Sequence, residues 1–255
     1  MSCVLECEQL SLSRGGRRLC DELELPVATG ECWGVLGLNG AGKTTLLHAL
    51  AGLRAPDSGS IRIDGIPLPQ WRRRELARVL GLMPQDSHDP FPATVLDTAL
   101  AGRHPHLAPW RGESEEDYRL ARAALAAVDL ASMERRSAGT LSGGERRRLA
   151  LATLLTQAPR LMLLDEPVNH LDLHHQIQLL EQVREQTRRG CAAIMVLHDL
   201  NLARRFCDRV LLLYGDGRWE AGGTAELMTA ERLSELYGHP VATLQTEIGP
   251  AILPR

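Results

Sequence analysis

Residues Gly37 to Thr44 read G-L-N-G-A-G-K-T, which satisfies the pattern G-x-x-x-x-G-K-[ST] and restricts the architecture more than any other feature of the chain. Glycines at both ends let the backbone close around an anion, and the helix that follows adds the positive end of its dipole. Such a loop needs a strand before it and a helix after it. Both are predicted here. Glu31 to Gly37 (E-C-W-G-V-L-G) is a short apolar run ending in glycine, and Thr44 to Leu53 (T-T-L-L-H-A-L-A-G-L) reads as a helix. Background residue frequencies give such a match by chance in about one in a hundred chains of this size, so phosphate binding is the expected role. Composition sharpens the point: of 29 lysines and arginines only Lys43 is lysine, and it lies inside the loop. A compact ammonium fits a tight anion cradle that rejects the wide fork of arginine.

Further apolar runs read as strands at Leu161 to Leu164, Ala192 to Leu197 and Val210 to Tyr214. The last is followed by Asp216-Gly217 and a hairpin return through Arg218 to Ala221. Strands alternating with helices imply a largely parallel sheet, hence an α/β fold. Between Gln85 and Pro159 the texture becomes helical: Thr94 to Ala101, then Glu115 to Val128 capped by Ser114 with Asp117 three residues on, then Gly144 to Leu155. This block is expected to be an inserted subdomain, with the proline-bearing loop Asp86 to Pro92 as its hinge.

Several functional classes are disfavoured. At 255 residues, 44% hydrophobic and 24% charged, the chain has the composition of one elaborated globular domain. Its longest apolar run, Cys191 to Leu197, is too short to cross a membrane. Met1 to Leu10 alternates apolar and acidic residues unlike a secretory signal, so a cytosolic location is expected. A net charge of −3 provides no cationic surplus for a nucleic-acid backbone. The six cysteines form no C-x-x-C pair and are expected as reduced, mostly buried thiols.

Two further segments carry chemistry. Leu161 to Glu166, L-M-L-L-D-E, is a buried strand ending in adjacent carboxylates, where open parallel sheets place their ligand chemistry; Asp165 suits an Mg²⁺ shell and Glu166 suits action on water. Leu141, Ser142, Gly143, Gly144 and Glu145 open a helix that offers a hydroxyl and a second amide-lined anion site. With the phosphate loop these segments resemble the ATP-binding cassette (ABC) ATPases. Leu141 to Glu145 looks like the family signature and lies 24 residues before Asp165. Gln85 sits where the family has its Q-loop glutamine, Asn169-His170-Leu171-Asp172 looks like the D-loop, and His198 ends a strand like the switch histidine.

The resemblance implies a P-loop NTPase fold: a RecA-like, mostly parallel core with an N-terminal antiparallel β subdomain and an inserted α-helical subdomain. The core would comprise 1–85 and 158–238, the helical subdomain 86–157 with the signature, and the tail 239–255. It also implies a head-to-tail homodimer with ATP held between the phosphate loop of one copy and the signature of the other. Carried over by position, Gly37, Leu38, Asn39, Gly40, Ala41, Gly42, Lys43, Thr44 and Thr45 would hold ATP. Thr44, Gln85 and Asp165 would serve Mg²⁺, and Glu166 would polarise the attacking water. His198 would contact the γ-phosphate, while Ser142, Gly143 and Gly144 would close the partner's site.

Three positions depart from the pattern. Arg14, in Ser13-Arg14-Gly15-Gly16, stands where the family usually stacks an aromatic residue on adenine; its guanidinium can stack through its flat face or stand in solvent as a loop arginine. Leu38 replaces a common proline, and Arg147 stands where glutamine often follows the signature; neither change is expected to affect the chemistry. His170 and His174 are four apart with His175 adjacent, but no glutamate completes H-E-x-x-H and His170 belongs to the D-loop segment, so these and the pair His104 and His106 read as surface or dimer-contact residues.

Within the family, Pro92 to His106 with Trp110, Asp172 to Gln176, Val196 to Ala203, and the tail Leu236-Tyr237-Gly238 through Pro254 resemble importer cassettes for iron-siderophore, haem and vitamin B12 chelates. That implies a dimeric permease contacted near Asp86 to Arg103, a periplasmic binding protein acting indirectly, and a peripheral position on the cytoplasmic face of the inner membrane. The alternatives are a soluble cassette, of the iron-sulfur assembly type for instance, and an exporter cassette.

Overall fold

The computed structural model describes residues 3–85, 92–108, 110–247 and 249–255. Apart from Pro92, the expected hinge lies outside them. In chain order the elements begin with strands β1 (Cys3–Arg14), β2 (Arg17–Ala28) and β3 (Cys32–Leu36), helix α1 (Lys43–Leu50), and strands β4 (Ser58–Ile63) and β5 (Ile66–Pro67). Next come α2 (Arg73–Val79), β6 (Leu80–Met83), α3 (Val95–Leu100), α4 (Glu115–Ala127), α5 (Gly143–Gln157), β7 (Leu161–Asp165) and α6 (Leu173–Arg188). The chain continues through β8 (Ala192–Val196), α7 (Leu200–Phe206), β9 (Arg209–Leu213), β10 (Trp219–Gly223), α8 (Thr224–Leu227) and α9 (Ala230–Tyr237), and ends in the hairpin β11 (Val241–Thr246) and β12 (Gly249–Pro254). These elements form two compact units, one reaching Gln70 and resuming at Ala192, the other running from Trp71 to Cys191. No described helix is long and apolar enough to cross a membrane.

In the first unit β3 pairs in parallel with β8 on one side and β9 on the other, and β10 returns antiparallel along β9 as the Asp216-Gly217 turn predicts. Every residue of β3 and β8 is buried, which is why these strands read as unbroken apolar runs without alternation. The same unit carries an antiparallel sheet in the order β2-β1-β4-β5. Four register shifts interrupt the β1–β2 pairing, so inward and outward positions change phase along β1 and the alternation at its start does not persist to Arg14. All six cysteines are free thiols, four of them buried; burial pushes the Cys20 thiol up to about 11 and raises Cys7 further. The terminal hairpin is fastened to α7 by Asn201, whose Nδ2 donates to the Ile252 carbonyl (3.2 Å) and whose Oδ1 accepts from the Ile252 amide (2.8 Å).

In the second unit β6 and β7 pair in parallel, and α3, α4 and α5 enclose an apolar core that includes Val95, Ala99, Ala121, Leu125 and Ala152. Each of these helices starts with a capping box, on Thr94, Ser114 and Ser142 respectively. Asp117 also accepts from Arg103 Nε at 2.7 Å, and Arg103 Nη1 reaches the Thr156 carbonyl of α5 at 3.1 Å, so one cap residue anchors a neighbouring turn. Both side chains of this ion pair are largely buried. Donation first from Ser114 and then from Arg103 holds the Asp117 carboxyl at about 2.

Asp117→Ala removes a cap and leaves Arg103 unpaired, and is expected to cost about 3 kcal/mol, read as a lower urea midpoint by helical circular dichroism. Because the folded value lies below the ordinary aspartate value, this stabilisation is complete above about pH 4 and is lost as pH falls towards about 2. Asp117→Asn should therefore flatten the acid limb of a stability-pH profile.

Candidate active site

The first unit carries the phosphate loop. It leaves the carboxyl end of β3 at Gly37 and enters α1 at Lys43. Gly37 has φ 152°, and a Cβ there would lie 2.4 Å from the Leu213 carbonyl oxygen of β9, so only glycine fits. The Ala41 amide donates to the Leu38 carbonyl at 3.1 Å, and Lys43 Nζ donates to the Gly37 and Leu38 carbonyls at 2.8 and 3.0 Å. The only lysine of the chain is thus buried over its own loop. Gly42, at φ 104°, is the N-cap of α1 and has no side chain with which to cap the helix amides. That start is therefore built from backbone donors and the helix dipole. Leu38, Asn39 and Gly40 are exposed at the rim, Thr44 is half-buried and Thr45 is buried.

Arg14 is exposed at the end of β1, paired with Arg17 across the turn to β2, and Leu19 of β2 packs against Gly42 of the loop. His198 is exposed two residues beyond β8, next to Asp199, whose carboxylate caps α7 by accepting from the Asn201 and Leu202 amides.

The second unit carries the acidic strand end. Asp165 closes the fully buried β7, and Glu166 follows in a left-handed conformation, φ 50°. Gln85 Nε2 donates to Glu166 Oε2 at 2.9 Å, and Asn169 Nδ2 donates to the same oxygen. Two amides thereby orient one carboxylate. His170 also has positive φ, and Asp172 caps α6 by accepting from the His175 amide, which with the His175 ring holds its carboxyl below the ordinary range. Leu141 is buried beside Ser142, the N-cap of α5. A Cβ on Gly144 would stand 3.3 Å from the His170 carbonyl, so the signature and D-loop segments pack together.

An ABC transporter family model matches residues 20–169. Hemin import ATP-binding protein HmuV of Myxococcus xanthus is 39% identical over 98% of this chain and 96% of that protein, and the protein of that name in Pseudomonas entomophila is 41% identical over 92% of each. A solved metal-chelate type ABC transporter in an inward-facing conformation is 27% identical, with a TM-score of 0.86 over 99% of this chain and 98% of that one. The chain belongs to the ABC transporter family. It has the ABC ATPase fold, a P-loop NTPase with strands and helices interleaved, and it binds ATP and hydrolyses it in the service of transport.

The structure of this ABC ATPase adds residues that the motifs do not single out. Arg17 Nε donates to the Gly215 carbonyl at 2.5 Å, and a Cβ on Gly215 would meet both Arg17 Nη2 (2.9 Å) and the Ala41 Cα (3.1 Å). Arg17 therefore lies against the phosphate loop, although in the sequence it is one of two consecutive arginines. Tyr237 brings its phenol to the Gly37 backbone, and burial pushes it up to about 12. Arg147, expected from the sequence to matter little, is buried among the backbone carbonyls of the Gln85 and Glu166 segments. Asn169 has a local task on Glu166 that its place in the D-loop pattern does not reveal.

Gly37→Ala is expected to destabilise the ABC ATPase by about 2 kcal/mol or more, because the new methyl meets a backbone oxygen that cannot withdraw without disturbing β9. Gly143→Ala, where nothing lies within 4 Å of the new Cβ, should leave the melting temperature unchanged. Differential scanning calorimetry of the two variants measures the contrast.

Proposed function

We propose that this ABC ATPase energises import of a metal chelate of the haem class, as one half of a homodimer bound to a dimeric membrane permease and peripheral to the cytoplasmic face of the inner membrane. The observation that carries the reading is identity of about 40%, over nearly the full length of both chains, to proteins named for hemin import. The fold of a metal-chelate type transporter agrees with it. A periplasmic binding protein would deliver the chelate to the permease without touching this chain.

In this reading Lys43 and the amides of Asn39 to Thr45 hold the β and γ phosphates, and Arg14 meets the adenine through its guanidinium face. Thr44, Gln85 and Asp165 hold Mg²⁺; a hydroxyl, an amide oxygen and a carboxylate are the hard donors this ion takes. Gln85 fits the set, since with Nε2 committed to Glu166 its Oε1 is the atom left to face a cation. When bound by these residues, Mg²⁺ would supply positive charge to the phosphates. Glu166, held by Gln85 and Asn169, polarises the attacking water, and His198 contacts the γ-phosphate. Ser142, Gly143 and Gly144 complete the site of the other copy, and Asn169 to Asp172 follow the same dimer seam.

The permease contact is assigned to Asp86 to Arg103, of which 92–103 are described. There the second unit opens a groove of about 490 Å³ lined by Leu82, Met83, Ala93, Thr98, Ala101 and Leu149. Its apolar floor suits an amphipathic helix.

Glu166→Gln is expected to lower ATP turnover by about a hundredfold or more while preserving ATP-dependent dimerisation, measured by phosphate release and by size-exclusion chromatography with ATP. Parent-rate hydrolysis would remove Glu166 from its role. Affinity capture from detergent-solubilised native membranes should return a stoichiometric polytopic permease, whose liposomes show ATPase activity stimulated by haem-loaded binding protein. Recovery of a soluble partner instead would overturn the importer reading and leave the ATPase intact.

A further inference from the structure

We infer that Arg147 is a positioning residue for ATP hydrolysis, setting the places of Glu166 and Gln85 through their backbone carbonyls. Five carbonyls converge on its guanidinium. Nε donates to Pro167 (3.1 Å), Nη1 to Pro84 (2.6 Å) and Gln85 (2.8 Å), and Nη2 to Glu166 (2.6 Å) and Asp165. The residue is 6% exposed, so these contacts are made largely away from water. Both segments are thus fixed twice: their carbonyls meet on the guanidinium, and their side chains meet where Gln85 Nε2 donates to Glu166 Oε2. The result is a closed ring that runs from the Gln85 backbone through Arg147 to the Glu166 backbone, and back through the two side chains.

The arrangement is specific to arginine. A guanidinium presents five N–H donors in one plane, with a charge that suits the negative ends of converging carbonyl dipoles. Glutamine has two donors and no charge, lysine has three on a single point, and methionine has none. Each lost donor leaves a buried carbonyl to relax, and the segments that relax carry Gln85 and Glu166. Arg147 also lies one turn into α5, whose N-cap is Ser142, so the signature helix and the acidic strand end move as one piece. Small displacements of a water-orienting carboxylate act on kcat more than on nucleotide affinity.

This inference rests on the role given above to Glu166, and the experiment separates the two. Steady-state ATPase kinetics are measured on the purified full-length chain for the parent, Glu166→Gln, Arg147→Gln, Arg147→Met, Gln85→Ala, and Gln85→Ala combined with Arg147→Gln. Arg147→Gln places a side-chain amide with two donors at this position. The expected order of kcat is arginine, glutamine, methionine, with about a threefold loss for glutamine and about thirtyfold for methionine, and with KM for ATP within about twofold of the parent. In the Gln85→Ala background the cost of Arg147→Gln should largely disappear, since both changes release the same carboxylate. Parent-like kcat in Arg147→Gln and Arg147→Met, a loss confined to KM, or costs that multiply in the double variant would overturn the inference. Should methionine prevent folding, the cycle between Arg147→Gln and Gln85→Ala decides alone. Full activity in Glu166→Gln would instead defeat the assignment of Glu166.

Discussion

The Leu213 carbonyl oxygen of β9 occupies the space into which any side chain at position 37 would project. The close approach forces glycine at the exit of β3, sends the chain away with φ 152°, and lets it bend back so that Lys43 donates to the Gly37 and Leu38 carbonyls. The rest of the first unit is organised around that turn. β3 must lie between β8 and β9, buried on both faces, for its carboxyl end to carry the loop, and the parallel pairing places the end of β8, and so His198, at the same edge. Leu19 brings the antiparallel sheet against the start of α1 at Gly42, and Tyr237 brings α9 to Gly37.

What the sequence revealed follows from which interactions are local. The phosphate loop, the apolar runs that became β3, β7, β8 and β9, and the Ser114/Asp117 capping box were legible because a few adjacent side chains determine each of them. The alternation that opens β1 does not reveal the strand's full extent, because register shifts against β2 and β4 interrupt it. The terminal hairpin was opaque for a similar reason, being pinned by a side-chain amide about 50 residues away in the chain. In a chain whose basic residues are arginine at every position but one, nothing marks Arg17 apart from its neighbours, and Arg147 stands out only as a departure from the family pattern. Their importance lies in carbonyls contributed by remote segments, which no local pattern encodes.

The second unit applies the same economy to its acidic end. Glu166 sits in a left-handed conformation that an L-residue adopts at a cost of order 1–3 kcal/mol, and the strain persists because its surroundings over-determine it. Its carbonyl is held by Arg147, the Asn169 amide N–H donates to that carbonyl at 3.3 Å, and two side-chain amides hold its carboxylate. A carboxylate fixed at both ends would have little reorganisation left to make in the role proposed for Glu166.

In the signature segment the helix cap uses only part of the bonding capacity of the serine proposed to meet the partner's nucleotide. Ser142 Oγ accepts from the Glu145 amide (3.2 Å), while Glu145 Oε2 accepts from the Ser142 amide (2.6 Å), an interaction that lowers the Glu145 carboxyl below its ordinary range. These bonds use the acceptor side of the hydroxyl and one backbone donor. Its O–H remains a donor by chemistry, and Gly143, exposed with nothing near its Cα face, adds an amide at the positive end of α5. The cap therefore does not compete with a phosphate. It also sets a carboxylate against the helix dipole where Arg136, 3.4 Å away, offsets its charge.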